Sequence, residues 1–321
     1  MLFRNMTNPL VSFVIPTRDR PIQLIRAVQS ALAQTYPQIE VIVVVDGPDD
    51  LVLALLDDIS SPALHIVPVP EPVGGAEARN IGIRYASGQW IALLDDDDQA
   101  MPDRIEQQLR RAHASRYPLP VVSSRFIAVL DSGEQILPRR LYRRGDPARY
   151  LFLRRSFRYG DGLLHTSTLL LPRTLMLSCP FLGGLRRHQD WDLILRLVTL
   201  PGVGIEMLPQ PLARVQMQEQ RTSVSTSPDW EFSLDWARER RRLLGRRAYA
   251  AFLATECMPR AAKVGASRRK QRALLRECLR HAWFSPRVMV LATAFFIRAR
   301  KTARKAKAFS AAETTASRSD Q

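Results

Sequence analysis

Four consecutive aspartates, Asp95-Asp96-Asp97-Asp98, close the apolar run "WIALL" at 90–94. Adjacent carboxylates repel one another unless cations offset them. Mg2+ and Mn2+ suit carboxylate oxygens and often complete their coordination with substrate phosphates. One reading of the run is therefore a metal–diphosphate site. The other is a solvated acidic turn that caps a helix beginning at Pro102, because helix starts favour aspartate. Two further polar clusters follow apolar runs in the same way: Pro16-Thr17-Arg18-Asp19 after "LVSFVI", and Asp46-Gly47 after "IEVIVVV".

The elements that must position these clusters are legible as an alternation. Short β-branched runs at 10–15, 39–45, 64–69 and 89–94 read as buried strands. Between them, Leu24, Ile25, Val28, Ala31 and Leu32 recur at helical spacing, 50–59 forms a short helix, and "VGGAEARNIGIRYASG" turns helical after two glycines. A helix from Pro102 to about Ser115 follows. Strands alternating with helices predict an α/β fold with a parallel sheet covered on both faces. In such sheets ligands bind beyond the carboxyl ends of the strands, so the three polar clusters should line one crevice. That arrangement favours the metal–diphosphate reading.

From about residue 120 the pattern changes. Residues 120–137 predict a hairpin turning at Asp131-Ser132-Gly133, 138–160 an Arg-rich loop or irregular helix, 163–173 a strand, and "QDWDLILRLVTL" an amphipathic helix. The chain of 321 residues has room for one large α/β domain or two smaller ones. Its 46% hydrophobic and 24% charged content is that of globular material. Cys179, Cys257 and Cys278 are widely separated, which argues against a disulfide framework or a zinc site. The amino terminus lacks the regions of a signal peptide, and no apolar stretch reaches the roughly 18–20 residues of a spanning helix.

The formal net charge of +16 is concentrated at one end: residues 230–321 hold 22 Lys and Arg against 7 Asp and Glu. The tail is largely helix-compatible, with Pro259 and Pro286 as breaks. Leu274, Leu275, Cys278, Leu279 and Ala282 make an apolar face among arginines, and Val288–Ile297 is followed by a basic run. This predicts helices lying on an anionic membrane surface, the alternative being helices packed on the catalytic domain with solvated basic faces. No nucleic-acid motif accompanies the charge, so no nucleic-acid partner is expected.

The segments "VSFVIPTRDRP", "VIVVVDG", "VGGAEARNIGI", "WIALLDDDDQAMPDRIEQQ" and "HQDWDLILRL" fall in an order and spacing that resembles family 2 glycosyltransferases, over about residues 10–225. The resemblance implies a GT-A, Rossmann-like, mostly parallel sheet flanked by helices, here followed by a basic helical C-terminal extension. It implies a catalytic domain at 1–228, with a nucleotide-sugar half at about 10–118 and an acceptor half at about 119–228. A basic helical region at 229–309 and a disordered tail at 310–321 complete the expected organisation. The implied activity is inverting transfer of a sugar from a nucleoside-diphosphate sugar, first of all a UDP-sugar, to a glycan or lipid-linked acceptor hydroxyl. The setting it suggests is polysaccharide, lipopolysaccharide or glycolipid synthesis, by a cytoplasmic protein peripheral to the membrane.

By the same resemblance Pro16, Thr17 and Arg20 form the base-binding lip, Asp46 binds the nucleoside, and Arg79 and Asn80 face the donor. Asp97 is the direct ligand of Mg2+ or Mn2+, with Asp95 a second ligand or, like Asp96, a ribose contact, and Asp98 caps the next helix. Asp190 takes the place of the general base, with a helix cap as its alternative role; Asp192 is structural. Trp191 packs in the core or stacks on a sugar. Gln189 departs from the usual glutamate, and 213–225 lacks the histidine that many relatives place there. Gln216, Gln218 or Arg221 stand in for it, and Arg221 is expected to neutralise the leaving diphosphate. The alternative activities are a sugar nucleotidyltransferase, which would need a glycine-rich first loop that "IPTRDRPIQ" lacks, and a degenerate nucleotide-sugar-binding scaffold.

Overall fold

The computed structural model describes residues 8–154, 160–217 and 229–282, and beyond these 286, 288–290, 293, 294 and 297. The chain divides into two compact units, Met1–Pro147 with Gly160–Arg221, and Ala148–Tyr159 with Thr222–Gln321.

The first unit is built on a nine-stranded sheet. Four strands run parallel side by side in the order β3 (Leu64–Val69), β2 (Ile39–Asp46), β1 (Val11–Thr17) and β4 (Trp90–Leu93). β1 is buried along its whole length, which is why it reads as an uninterrupted apolar run. Helix α1 (Pro21–Leu32) covers one face through Leu24, Ala27, Val28 and Ala31, and α2 (Asp50–Asp57) follows β2, capped by Asp49. α3 (Gly75–Tyr85) packs closely on β1: a Cβ at Gly82 would lie 2.6 Å from Val14 Cγ1. That close approach brings the first turns of α3 to the carboxyl ends of the strands.

Beyond β4 the sheet becomes mixed. After β5 (Gln99–Ala100) and α4 (Arg104–His113), the long strand β6 (Leu119–Leu130) forms the expected hairpin with β7 (Gly133–Leu137). The expected strand at 163–173 is reduced to β8 (Leu170–Pro172); a 3-10 turn at Thr166–Thr168 precedes it, and α6 (Arg173–Ser178) follows. The polar "HTST" residues satisfy one another locally: His165 accepts from the Ser167 N–H, and Thr168 Oγ1 donates to the His165 carbonyl. β8 runs antiparallel to β4, pairing Leu170 with Ala92. Residues just before β8 therefore arrive beside the end of β4. α7 (Gln189–Leu197) buries Leu193, Ile194, Leu195 and Leu197. β9 (Val203–Gln216), which the sequence pattern did not reveal, runs parallel to β6 and antiparallel to β5.

The second unit is helical. It contains the residues of α5 (Pro147–Phe152) from Ala148 onward, α8 (Trp230–Glu239), α9 (Arg241–Phe252), α10 (Met258–Lys263) and α11 (Arg268–Ala282). Trp236, Phe252 and Phe152 form its aromatic centre, with Phe152 edge-on to Phe252 at 5.2 Å. Pro259 is accommodated in the first turn of α10, after a π-helical turn at Leu253–Cys257, rather than ending the helical run. Leu274 and Cys278 on α11 are buried, and the Cys278 thiol donates to the Ala250 carbonyl of α9. The apolar face of α11 expected to meet lipid is thus in large part consumed inside this unit. No helix among the described residues is long and apolar enough to cross a membrane.

Candidate active site

The site is assembled from the carboxyl ends of β1, β2 and β4, the first turns of α3 and α7, the turn before β8, and the end of β9. Asp46 ends β2 and accepts from the backbone N–H groups of Val73 (2.6 Å) and Gly74 (2.9 Å). It thereby fixes the turn into α3, where Gly74 takes a left-handed φ of 85°. Pro16 and Thr17 lie buried at the end of β1. Thr17 Oγ1 donates to Asp96, while one nitrogen of Arg20 reaches both Asp96 (3.1 Å) and Asp97 (3.0 Å). Arg20, expected to line the base, is turned onto the acidic loop instead, because two carboxylates attract it there.

The loop itself is stitched down on several sides. Ser167 Oγ accepts from the Asp95 N–H and donates to Asp98, and Asp98 also accepts from the Gln216 N–H of β9. Asp98 is only 1% exposed. It does not cap the following helix as expected: α4 begins after Asp103, which itself makes no side-chain cap, and both oxygens of Asp98 point inward to Ser167 and β9. One ligand atom from each of Asp95, Asp98 and His165 lies within 4.8 Å of the others. Asp97, the expected direct ligand, is outside that group and pairs with Arg20. His165 is the residue that sequence reasoning missed. Its only signal was a polar residue breaking the apolar run "LLHTSTLLL", and its relevance depends on β8 being antiparallel.

Arg79 extends from α3 to Asp95 (2.5 Å), and its other terminal nitrogen donates to Gln189 Oε1 (3.0 Å) and the Gly75 carbonyl. Its Nε is buried without a hydrogen-bond partner among the described residues. Asn80, expected to face the donor, is committed elsewhere. Its amide exchanges hydrogen bonds with the Phe181 backbone and donates to Glu77, so it joins α3 to the segment before α7. Asp190 sits in the first turn of α7 and accepts from the Trp191 N–H. His188, which precedes α7 in a left-handed conformation, stacks on Trp191 at 4.8 Å. Asp192 is fully buried and paired with Arg196, the structural role expected of it. Gln218 and Arg221 lie outside the described residues.

The electrostatics are unusual for an acidic loop. Burial pushes the Asp96 carboxyl up to about 6, against Arg20, with Asp97 and Asp95 adding repulsion. Burial also raises Asp98 well above the usual carboxylate range, reinforced by Asp97 and Asp95. Asp190 is raised by burial, which His165 opposes and Asp95 augments. Asp95 alone is lowered: burial acts upward, but Arg79, His165 and Arg20 outweigh it. Beneath the loop, Arg104 is completely buried; it donates to the Leu93 and Leu169 carbonyls and to Gln108. Burial lowers its guanidinium to about 9, with Asp98 opposing. Five carboxyls, Asp95 to Asp98 and Asp190, thus face three guanidiniums, and burial, with this repulsion added, raises Asp96, Asp98 and Asp190. Two carboxylates and an imidazole within reach of one another, in a surplus of negative charge, suit a divalent cation such as Mn2+ or Mg2+.

An α/β sheet with an acidic loop, an arginine bound to that loop and a carboxylate at a helix start is an arrangement to set beside known proteins. Residues 12–166 match the family described as Glycosyl transferase family 2. The Rhizobium meliloti succinoglycan biosynthesis protein ExoO is 39% identical over 107 residues, 33% of this chain and 31% of ExoO. The match thus spans about a third of that relative's length. Among solved structures, S. aureus TarS 1-349 in complex with UDP-GlcNAc superposes with a TM-score of 0.60 at 14% identity, covering 94% of this chain and 92% of TarS 1-349. The mannosyltransferase PcManGT from Pyrobaculum calidifontis, in complex with GDP-Man and Mn2+, superposes with a TM-score of 0.53 at 16% identity, covering 93% and 88%. These likenesses identify the fold as GT-A.

Proposed function

We propose that this chain is an inverting glycosyltransferase that moves a sugar from a nucleoside-diphosphate sugar to an acceptor hydroxyl in cell-surface polysaccharide synthesis. The observation that carries the reading is the convergence of Asp190, Arg79, Asp95 and His165 from four separate elements. The family 2 match, the succinoglycan biosynthesis role of ExoO and the nucleotide sugars bound by TarS and PcManGT support the donor class and the setting. A UDP-sugar is the first choice of donor. A glycan or lipid-linked acceptor, presented at the inner face of an anionic membrane, suits the basic helical region.

The proposed chemistry is a single displacement. Asp190 accepts the proton of the acceptor hydroxyl as its oxygen attacks the anomeric carbon, and the bond from that carbon to the diphosphate oxygen breaks with its electron pair. Burial raises the Asp190 carboxyl, with His165 opposing, which makes it a stronger base than an ordinary aspartate. Arg79 holds Asp95 and presents its guanidinium toward the diphosphate side, and Gln189 fixes Arg79 from the base's own helix. Thr17, Asp46, Asp96 and Pro16 shape the nucleoside end. A divalent cation held by Asp95, Asp98 and His165 would stabilise the charge that develops on the leaving nucleoside diphosphate.

Release of nucleoside diphosphate from UDP-, GDP- and dTDP-sugars, with Mn2+ and with EDTA, tests the reading, with thermal shifts choosing the donor. Metal-dependent release by the wild type and its loss in Asp190→Asn are expected. Pyrophosphate exchange without transfer would replace the proposal by a nucleotidyltransferase, and ligand binding with neither reaction would leave a scaffold.

A further inference from the structure

The helical unit carries charge that its own fold does not use. Between residues 229 and 282 fourteen Arg and Lys stand against six Asp and Glu, and every one of the six is engaged. Asp229 caps α8 at the Phe232 N–H, Glu231 pairs with Lys270, Asp235 with Arg238, and Glu239 with Arg240. Glu256 is held between Arg154 (2.8 Å) and Arg260 (2.7 Å). Glu277 takes Arg238 on both oxygens and the Tyr249 hydroxyl at 2.5 Å. Among the described residues this leaves Arg241, Arg242, Arg246 and Arg247 of α9 and Arg268, Arg269, Arg272, Arg276 and Arg280 of α11 exposed and without an acidic partner.

Three of these converge. His281, on the last turn of α11, sets its ring edge-on to Tyr249 of α9 at 4.9 Å, and its buried Nδ1 has no hydrogen-bond partner among the described residues. The imidazole is held below its ordinary pKa by burial and by Arg241, Arg246 and Arg280, with Glu277 opposing. Arg246, one turn before Tyr249 on α9, and Arg280, beside His281 on α11, therefore flank the point where the two rings meet, and Arg241 acts on the same imidazole. Folding gains nothing from bringing three unpaired guanidiniums together, and a phosphate would neutralise them with charge-assisted hydrogen bonds. The same unit also exposes aliphatic side chains: Val264 after α10, and Met289, Val290 and Ile297 beyond α11. Cations together with exposed aliphatics fit a lipid interface, where phosphates lie above an apolar layer.

We propose that the junction of α9 and α11, centred on Arg241, Arg246 and Arg280 around His281, is a phosphate-headgroup site by which this unit docks on an anionic phospholipid bilayer. The proposal takes the membrane setting from the proposed function and assigns it to a defined surface. It requires no catalysis, so Asp190→Asn, expected to be inactive, should bind vesicles as the wild type does.

The test is co-sedimentation of the full chain with phosphatidylcholine vesicles, with and without a quarter of phosphatidylglycerol, at about 0.1 M salt. Binding to the anionic vesicles only is expected. Arg241→Gln with Arg246→Gln and Arg280→Gln should weaken it by about 100-fold, at about 1 kcal/mol per cation. The corresponding Arg→Glu triple should show a larger loss. Thermal melts should show all variants folded, because these side chains are exposed. Equal binding to neutral vesicles would overturn the proposal. So would an equal loss from Arg268→Glu with Arg269→Glu, which would make the effect diffuse charge rather than a site. Tighter binding to a short DNA duplex than to anionic vesicles would assign the surface to nucleic acid instead.

Discussion

The acidic loop of the first unit and the basic junction of the second both concentrate like charge, under opposite constraints. In the loop Asp96 and Asp98 are buried and Asp95 and Asp97 half-buried, and Asp95, Asp96 and Asp98 are held through Ser167, Thr17, Arg20, Arg79 and the Gln216 N–H. At the junction the arginines are exposed, and the nearby acid Glu277 is already spent on Arg238 and Tyr249. Burial makes charge expensive, so it survives in the loop only because the surroundings over-determine it. At the surface, water screens each charge, and repulsion costs little. Buried charge therefore marks a place where position matters, as chemistry requires. Exposed charge costs little to keep and stays free to meet a partner of opposite sign, as steering and adhesion require.

Substitutions should separate the two regimes in order of size. Asp190→Asn should lower turnover by about 10³-fold in steady-state assays while leaving thermal stability near that of the wild type, as befits a general base. Retained turnover would move the base elsewhere in the site. Arg104→Met should cost about 3 kcal/mol in denaturant unfolding, because it leaves the Leu93 and Leu169 carbonyls without donors and removes the cation beneath Asp98. A neutral outcome would show that the loop is held by Ser167 and β9 alone.

Asp98→Asn is the sharper probe of the surplus charge. The metal-free protein should melt at the wild-type temperature or above, since the carboxyl already sits well above its usual range. The additional stabilisation by Mn2+, read in the same melts, should disappear. At the basic region the effects shrink. Glu277 lies below its ordinary value, chiefly through Arg238, against burial and with help from Tyr249. A carboxyl with a depressed folded pKa contributes stability that is full above its unfolded value, 4.5, and is lost as pH falls through the lower folded value. Glu277→Gln should therefore be less stable than the wild type at pH 6, with the gap closing on acidification below 4.5, followed by melts across that range. Arg246→Glu, at a fully solvated site, should change stability by less than about 0.5 kcal/mol. A larger loss would mean that the junction is structural.

Much of the parallel half was readable from the chain, because β1, β2 and β4 are buried on both faces and end abruptly in polar residues. The three clusters at Thr17, Asp46 and Asp95 lie at the carboxyl ends of three adjacent parallel strands. The remainder was misread for identifiable reasons. The run at 163–173 looks like one strand by apolar content, but Ser167 and Thr168 turn it with local hydrogen bonds. The apolar face of α11 looks free for lipid until α9 covers Cys278. Asn80 looks like a donor contact, yet the Phe181 backbone occupies its amide. In each case the deciding partner is remote in sequence, as with Phe181 for Asn80.

The sequence by itself determined that negative charge would gather at strand ends and that positive charge would gather on late helices, because both follow from local periodicity and composition. Only the tertiary structure decided which carboxylates act together. β8 enters antiparallel to β4, so His165 and Ser167 arrive beside Asp95 and Asp98, while Arg20 takes Asp96 and Asp97 away. Four neighbouring aspartates are chemically identical along the chain; they become different only when burial and non-local partners give each its own electrostatic surroundings.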